Sequence, residues 1–386
     1  MSSLDFSRYR DRFPIFRERI YFACQCMGPF PADGYRDLEE YVGTRKLHSR
    51  ALGAWLERIE EVTGLIEQVL VAPSGSVALR DSATACQAAI AASLTPTAKR
   101  NRIVVSALDF HSSLHLWRAQ ERRGFEIVVV PPAADGFSVA SEDVVARIDE
   151  RVAAVAISTV SRNSALVDIA PILEAARGAG ALSVLDAYQA VGVLPIDVST
   201  LGADVVVGGC LKWLSGETGL AFMYVRPSLS EQTLPGYPGW FGHSELHAFV
   251  HTHEFIDQYA PMPGARRFQQ GTPGMAPIYG ARAGLRFVLE VGVQAMRERN
   301  SALTEYLFER CMERGFAVRT PRAGSERVGG ICLAPPDPEA TVEALAAEGI
   351  DVDQRRRTLV RLAPHPCATF EECDRVVAVL EKVVKH

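Results

Sequence analysis

Apolar residues recur at helical spacing from Gly53 to Leu70, with Trp55, Ile59, Val62, Leu65 and Ile66 on one face. A short apolar run, Ser76-Val-Ala-Leu, then ends in the polar turn Arg80-Asp-Ser-Ala-Thr84, which opens an Ala-rich helix to about Ala92. Beyond it, short apolar runs follow one another: Arg102-Ile-Val-Val-Ser, Phe125-Glu-Ile-Val-Val-Val, Val152-Ala-Ala-Val-Ala-Ile-Ser, Ala181 to Asp186, Val205 to Gly208 and Ala221-Phe-Met-Tyr-Val. Helical stretches separate several of them: Leu114 to Arg123, Glu142 to Asp149 and Ile169 to Gly178. Apolar runs with no polar alternation are strands covered on both faces, so the pattern predicts an α/β fold around a mostly parallel sheet. The texture changes after Gly280. Two long helices, Ile278 to Val291 and Gln294 to Gly315, precede an α+β tail with candidate strands at Gly330-Ile-Cys-Leu-Ala and Thr358-Leu-Val-Arg-Leu. The expected division is a large α/β domain over 31–279 and a smaller one built from 1–30 and 280–386.

At 386 residues, 48% hydrophobic and 23% charged, the chain can build two sizeable cores. A net charge of -5 argues against nucleic-acid or anionic-membrane partners. No apolar run approaches the roughly 20 residues that span a bilayer, and the N-terminus lacks a signal-peptide pattern. The eight Cys are scattered without metal-ligand spacing, so no metal and a reducing, cytoplasmic setting are expected.

The chemistry sits where apolar runs end. Asp186 closes one run, and Lys212 follows another in Gly208-Gly-Cys-Leu-Lys212. An amine and a carboxylate delivered at strand ends are what pyridoxal phosphate requires: one forms a Schiff base, the other holds the ring nitrogen protonated. In open α/β sheets, ligands bind at the carboxyl ends of strands. Ser82 and the amides of Ala83 and Thr84 could hold a phosphate at a helix N-terminus, or Ser82 could simply cap that helix. Phe110, in Asp109-Phe-His-Ser-Ser113, offers a ring to stack on a planar group; alone, it would be ordinary packing. Gln189 could donate to a ring oxygen, or be a solvated helix residue.

Together with Asp186-Ala-Tyr-Gln189, Lys212-Trp-Leu-Ser-Gly, Gly239-Trp-Phe-Gly-His243, Gly271-Thr-Pro and Arg361-Leu-Ala-Pro-His-Pro, the chain resembles the class V aminotransferase family of fold-type I pyridoxal-phosphate enzymes, in its kynureninase-like branch. The resemblance runs from about Tyr21 to the C-terminus. It implies a seven-stranded-type sheet, pyridoxal 5′-phosphate as cofactor, an amino-acid substrate and a homodimer with shared sites. Lys212 would carry the cofactor and move the Cα proton, and Asp186 would pair with the ring nitrogen. Gln189 would contact the ring oxygen and Phe110 would stack. Ser82, Ala83 and Trp240 would bind phosphate, and Thr272 would reach the neighbouring subunit's phosphate. Arg361 would clamp the substrate carboxylate.

Several positions depart from the family pattern. Leu211 stands where a His or Tyr usually donates to the phosphate. Between Ala340 and Arg361 there is no Cys of the kind that makes a persulfide in desulfurases. Gly271-Thr-Pro replaces an Asn-Pro-Pro element, and Ala23-Cys-Gln-Cys-Met-Gly28 replaces an Asn-Ser-type segment, which puts Gln25 against substrate. His243 is either an acid–base group at the substrate or a structural residue. The expected activity is a lyase reaction on an L-amino-acid side chain, C–S β-elimination from a cysteine conjugate. Kynureninase-type hydrolytic Cβ–Cγ cleavage is the alternative, followed by transamination or epimerisation. A fold kept only as a binding module is the reading from a different class.

Overall fold

The structure is a computed structural model and describes residues 5–246, 258–355 and 358–384. Every apolar run named above becomes a strand. Numbering from the N-terminal pair β1 (Ile20–Tyr21), the strands are β2 (Val77–Arg80), β3 (Arg102–Ser106), β4 (Glu126–Val130), β5 (Val152–Ser158), β6 (Leu182–Asp186), β7 (Val205–Gly209) and β8 (Ala221–Val225). They form a seven-stranded sheet in the order β2-β8-β7-β6-β5-β3-β4. Only β8 runs against the others, pairing antiparallel with both β2 and β7. All residues of β5, β7 and β8 are buried, the burial their unbroken apolar character calls for.

The helices fall close to expectation, at Ala51–Val69, Ala83–Ser93, His111–Ala119, Ala170–Ala179, Met275–Val291 and Val293–Glu313. The stretch expected from Glu142 to Asp149 is shorter, Ser141–Val145. Met275–Val291 packs on Ala51–Val69 and on a further helix, Ala32–Thr44. The division expected at residue 279 therefore falls inside a continuous helix; the chain turns only at Gly292, where φ is +84°.

A second core lies under the C-terminal strands β9 (Ile331–Leu333), β10 (Ile350–Asp351), β11 (Asp353–Arg355) and β12 (Leu359–Leu362). β9, β12 and β11 form a small antiparallel sheet. The N-terminal segment joins this part: β1 pairs in parallel with β10, Ala23 bridges to Ala363, and Phe22 sits in the same core. Five residues after that bridge, the Gly28 N–H donates to the Leu211 carbonyl at 2.8 Å. Residues 20–28 thus run from the C-terminal sheet to the doorstep of Lys212. Among the described residues, no helix is long and apolar enough to cross a membrane.

Candidate active site

The carboxyl ends of β2, β5, β6 and β7 open into one cavity of about 410 Å³. Asp186, Lys212, Ser82, Ala83, Phe110, Gln189 and Gln25 all enter its wall, from segments scattered over most of the chain. Glycines make the close approaches possible. A Cβ on Gly28 would lie 1.8 Å from the Lys212 carbonyl oxygen, and one on Gly209 would lie 2.2 Å from the Tyr188 ring.

Lys212 is enclosed, and burial together with the charge of Arg361 pushes its ammonium down to about 7; Asp186 opposes this. Its Nζ lies 4.5 Å from the centre of the Tyr188 ring and 6.0 Å from that of Phe110. A lysine with a pKa near 7 is substantially neutral at physiological pH, the state a nucleophile or general base needs.

Asp186 is held on both oxygens. Oδ1 accepts from the Tyr188 N–H at 3.0 Å, and Oδ2 accepts from Gln87 Nε2 at 3.1 Å. Burial raises its pKa, with those two bonds and Lys212 pulling the other way. Asp109 stiffens the same edge, accepting from the N–H groups of Ser106 and Ser158, both at 2.8 Å, and so tying the ends of β3 and β5. Its carboxyl is pushed up by burial to about 6.

Ser82 caps the helix Ala83–Ser93, its Oγ accepting from the Ala85 N–H at 3.1 Å. The first-turn amides of Ala83 and Thr84 have no helical acceptor, and both residues line the cavity, as an anion site at a helix N-terminus demands. Leu211 brings no polar group, but Thr84 and Thr218 line the same cavity. Phe110 flanks the next helix, lines the cavity and stays 47% exposed rather than being consumed in packing.

Other expected contacts differ. The Gln25 amide is turned away from the cavity, donating to Ser164 Oγ at 2.7 Å and the Val328 carbonyl at 3.2 Å. Its backbone carbonyl accepts from Gln189 Nε2 at 3.0 Å, so Gln25 meets Gln189 through its main chain. One N–H of that Gln189 amide remains for a ring oxygen. Arg361 is fully buried behind the wall: Asp353, its partner across the β11–β12 pair, takes Nε at 2.7 Å and also Nη2, and Nη1 reaches the Arg162 carbonyl at 3.3 Å. The guanidiniums in the wall belong to Arg162 and Arg355. The His243 ring nitrogens face backbone groups of Glu245, Gln258 and Ala260, so it braces a loop and does not contact the cavity. Trp240 packs edge-on against Phe241 at 4.6 Å, outside the wall. Thr272 lines a separate hollow of about 170 Å³ that shares Asp81 and Gly219 with the cavity. Gln87, Tyr188, Arg355 and the exposed Cys26 were not foreseen in this wall or behind it.

The sequence pattern of the class-V aminotransferases matches residues 35–365, and the chain belongs to that family. An uncharacterised aminotransferase, YcbU, of Bacillus subtilis is 26% identical over 95% of this chain and 94% of its own length. A kynureninase of Geobacillus thermodenitrificans is 27% identical over 98% and 91%. Among solved structures, a cysteine desulfurase from Thermococcus onnurineus shares the fold with a TM-score of 0.86 at 20% identity, each chain fully covered. A cystine C–S lyase, solved with its product cysteine persulfide, does so at 0.84 and 17%, over 96% of this chain and 99% of its own.

The cofactor of this family member is pyridoxal 5′-phosphate. The residues present fit it. A buried carboxylate normally has a cationic or hydrogen-bonding partner on each oxygen. Asp186 has two neutral donors and no ion pair among the described residues, which leaves it matched to a ring N–H. The free amides of Ala83 and Thr84 match the phosphate, and the Gln189 Oε1, buried without a partner, marks a polar surface still open to a ligand.

Proposed function

We propose that this chain is a pyridoxal 5′-phosphate-dependent lyase that cleaves an L-amino-acid side chain by β-elimination, with C–S bonds of cysteine conjugates as its first substrate class. The cofactor supplies an electron sink for the charge left at Cα. Lys212, near neutrality, takes the Cα proton and later returns one. Asp186 would keep the ring nitrogen protonated, Phe110 would offer its ring for stacking, and Gln189 would donate to the ring oxygen. Ser82, Ala83 and Thr84 hold the phosphate. Arg355, in the cavity lining, supplies the cation that draws in the substrate carboxylate, and Arg361 positions it by sharing Asp353 as counter-charge. We assign Trp240 and Thr272 to a site shared with a second subunit of a homodimer.

The observation that carries this reading is the presence of two arginines and a cysteine in the cavity lining. Arg162, Arg355 and Cys26 line the cavity, and among the described residues its aromatic rings are those of Phe110 and Tyr188 beside Lys212. A small polar side chain suits such a lining better than a kynurenine ring does. Hydrolytic Cβ–Cγ cleavage is the second reading, favoured by the kynureninase relative and the Gly239-Trp-Phe-Gly-His243 motif. Incubation with S-alkylcysteines, cystine and kynurenine separates them. Thiol or persulfide with pyruvate is expected; anthranilate at an equal or higher rate would overturn the proposal.

A further inference from the structure

Behind Asp186 lies a polar chain remote from the reacting atoms. Gln87 is 2% exposed and donates from Nε2 to Asp186 Oδ2 at 3.1 Å. Its Oε1 accepts from Ser113 Oγ at 2.6 Å and from Trp117 Nε1 at 2.8 Å. An indole N–H can only donate, so Trp117 fixes which end of the amide is oxygen; the NH₂ end must then face Asp186. Ser113 and Trp117, one turn apart, belong to the helix His111–Ala119, which begins immediately after Phe110. One helix therefore sets both the stacking ring and the orientation of the amide behind the carboxylate.

We infer that Gln87 is a positioning residue that keeps Asp186 ionised and aimed at the cofactor's ring nitrogen, locked in place by Ser113 and Trp117. This rests on the reading that Asp186 faces that nitrogen. The surroundings explain why a donor is needed. Lys212 is the cation that favours ionised Asp186, and the Tyr188 N–H the other donor to it, whereas burial opposes ionisation; the Asp109 carboxyl, near the end of β3, is itself pushed up by burial and by the charge of Asp186. The Cys86 thiol and Tyr188 phenol nearby are held protonated by burial and contribute no positive charge. Without Gln87, only one donor remains on a carboxylate that burial already pushes toward the neutral form, and the Trp117 and Ser113 donors lose their acceptor.

The test uses full-length protein stripped of cofactor and titrated with pyridoxal 5′-phosphate from acid to neutral pH, affinity being read from tryptophan fluorescence and the visible band. Wild-type affinity should fall on the acid side as Asp186 takes a proton. Gln87→Leu should weaken affinity on the order of tenfold and move that acid limb up by about one pH unit. Gln87→Glu keeps the volume and the acceptors for Ser113 and Trp117, and should move the limb at least as far, which covers the case in which Gln87→Leu does not fold. A wild-type limb in Gln87→Glu would overturn the inference, whatever happens to thermal stability. Asp186→Asn separates the two levels. If it abolishes the limb while the Gln87 variant leaves it in place, only the inference about Gln87 fails; if it leaves the limb in place, the reading of Asp186 fails with it.

Discussion

Enclosing Lys212 has a measurable cost in the cofactor-free protein. Its ammonium falls from the ordinary 10.5 to about 7, chiefly because burial penalises the charged form and Arg361 repels it. At about 1.4 kcal/mol per pKa unit, this amounts to roughly 5 kcal/mol of destabilisation. The sign follows from proton counting. Between pH 7 and 10.5 the unfolded chain binds more protons at this position than the folded one, so its contribution to stability rises with pH in that window. Below pH 7 the full penalty is present; near pH 10.5 it has gone. Lys212→Met keeps the apolar stem and removes the titrating group. The cofactor-free variant should therefore be more stable than the cofactor-free wild type at pH 7, by a few kcal/mol and at most about 5. The gap should shrink steadily as pH rises to 10. Urea unfolding of both proteins at pH 6, 7, 8.5 and 10 measures it. Equal stability at pH 7, or a gap that widens with pH, would refute the argument that the amine is held near neutrality by its surroundings.

Other expectations follow from single contacts. Gly28→Ala places a Cβ against the Lys212 carbonyl and should destabilise by about 2 kcal/mol or more, with weaker cofactor loading in the same titration. Arg361→Lys loses the two-pronged hold on Asp353, the carboxylate that also pairs with Arg355 in the cavity lining, and should raise KM roughly tenfold, while the visible band of the loaded enzyme stays in place. Cys26→Ser should leave pyruvate release within about twofold of wild type, because β-elimination needs no protein thiol; a loss beyond 100-fold would instead assign a sulfur-accepting role to this exposed cavity residue.

The large sheet was legible because its strands are buried on both faces and read as unbroken apolar runs. Asp186 and Lys212 stood out for the same reason, lying at the ends of such runs. What escaped depends on contacts between distant segments. The helix Ala32–Thr44 buries Gly34, Asp37 and Thr44 on its inner face; Asp37 pairs through Oδ1 with Arg282, far along the chain. Gln87 looks like any polar residue in an Ala-rich helix until Trp117 and Asp186 are seen on either side of it. Arg361 was recognisable from its motif, but its withdrawal behind Arg355 follows from the short β11–β12 pair, too brief to leave a periodic trace. Gln25 was expected to point at a ligand; a buried amide turns to whichever partners are nearest, here Ser164 and Val328.

The path of residues 20–28 also sets a timetable for synthesis. Their pairing partners, Ile350, Asp351 and Ala363, leave the ribosome more than 300 residues later. At typical translation rates of about 5–20 residues per second, the opening segment waits roughly 15 to 70 seconds for them. Until then neither the loop under Lys212 nor the carbonyl that steers Gln189 has its anchor. A nascent chain can complete its large sheet early, yet it acquires a finished cofactor pocket only once the residues up to Ala363 have emerged.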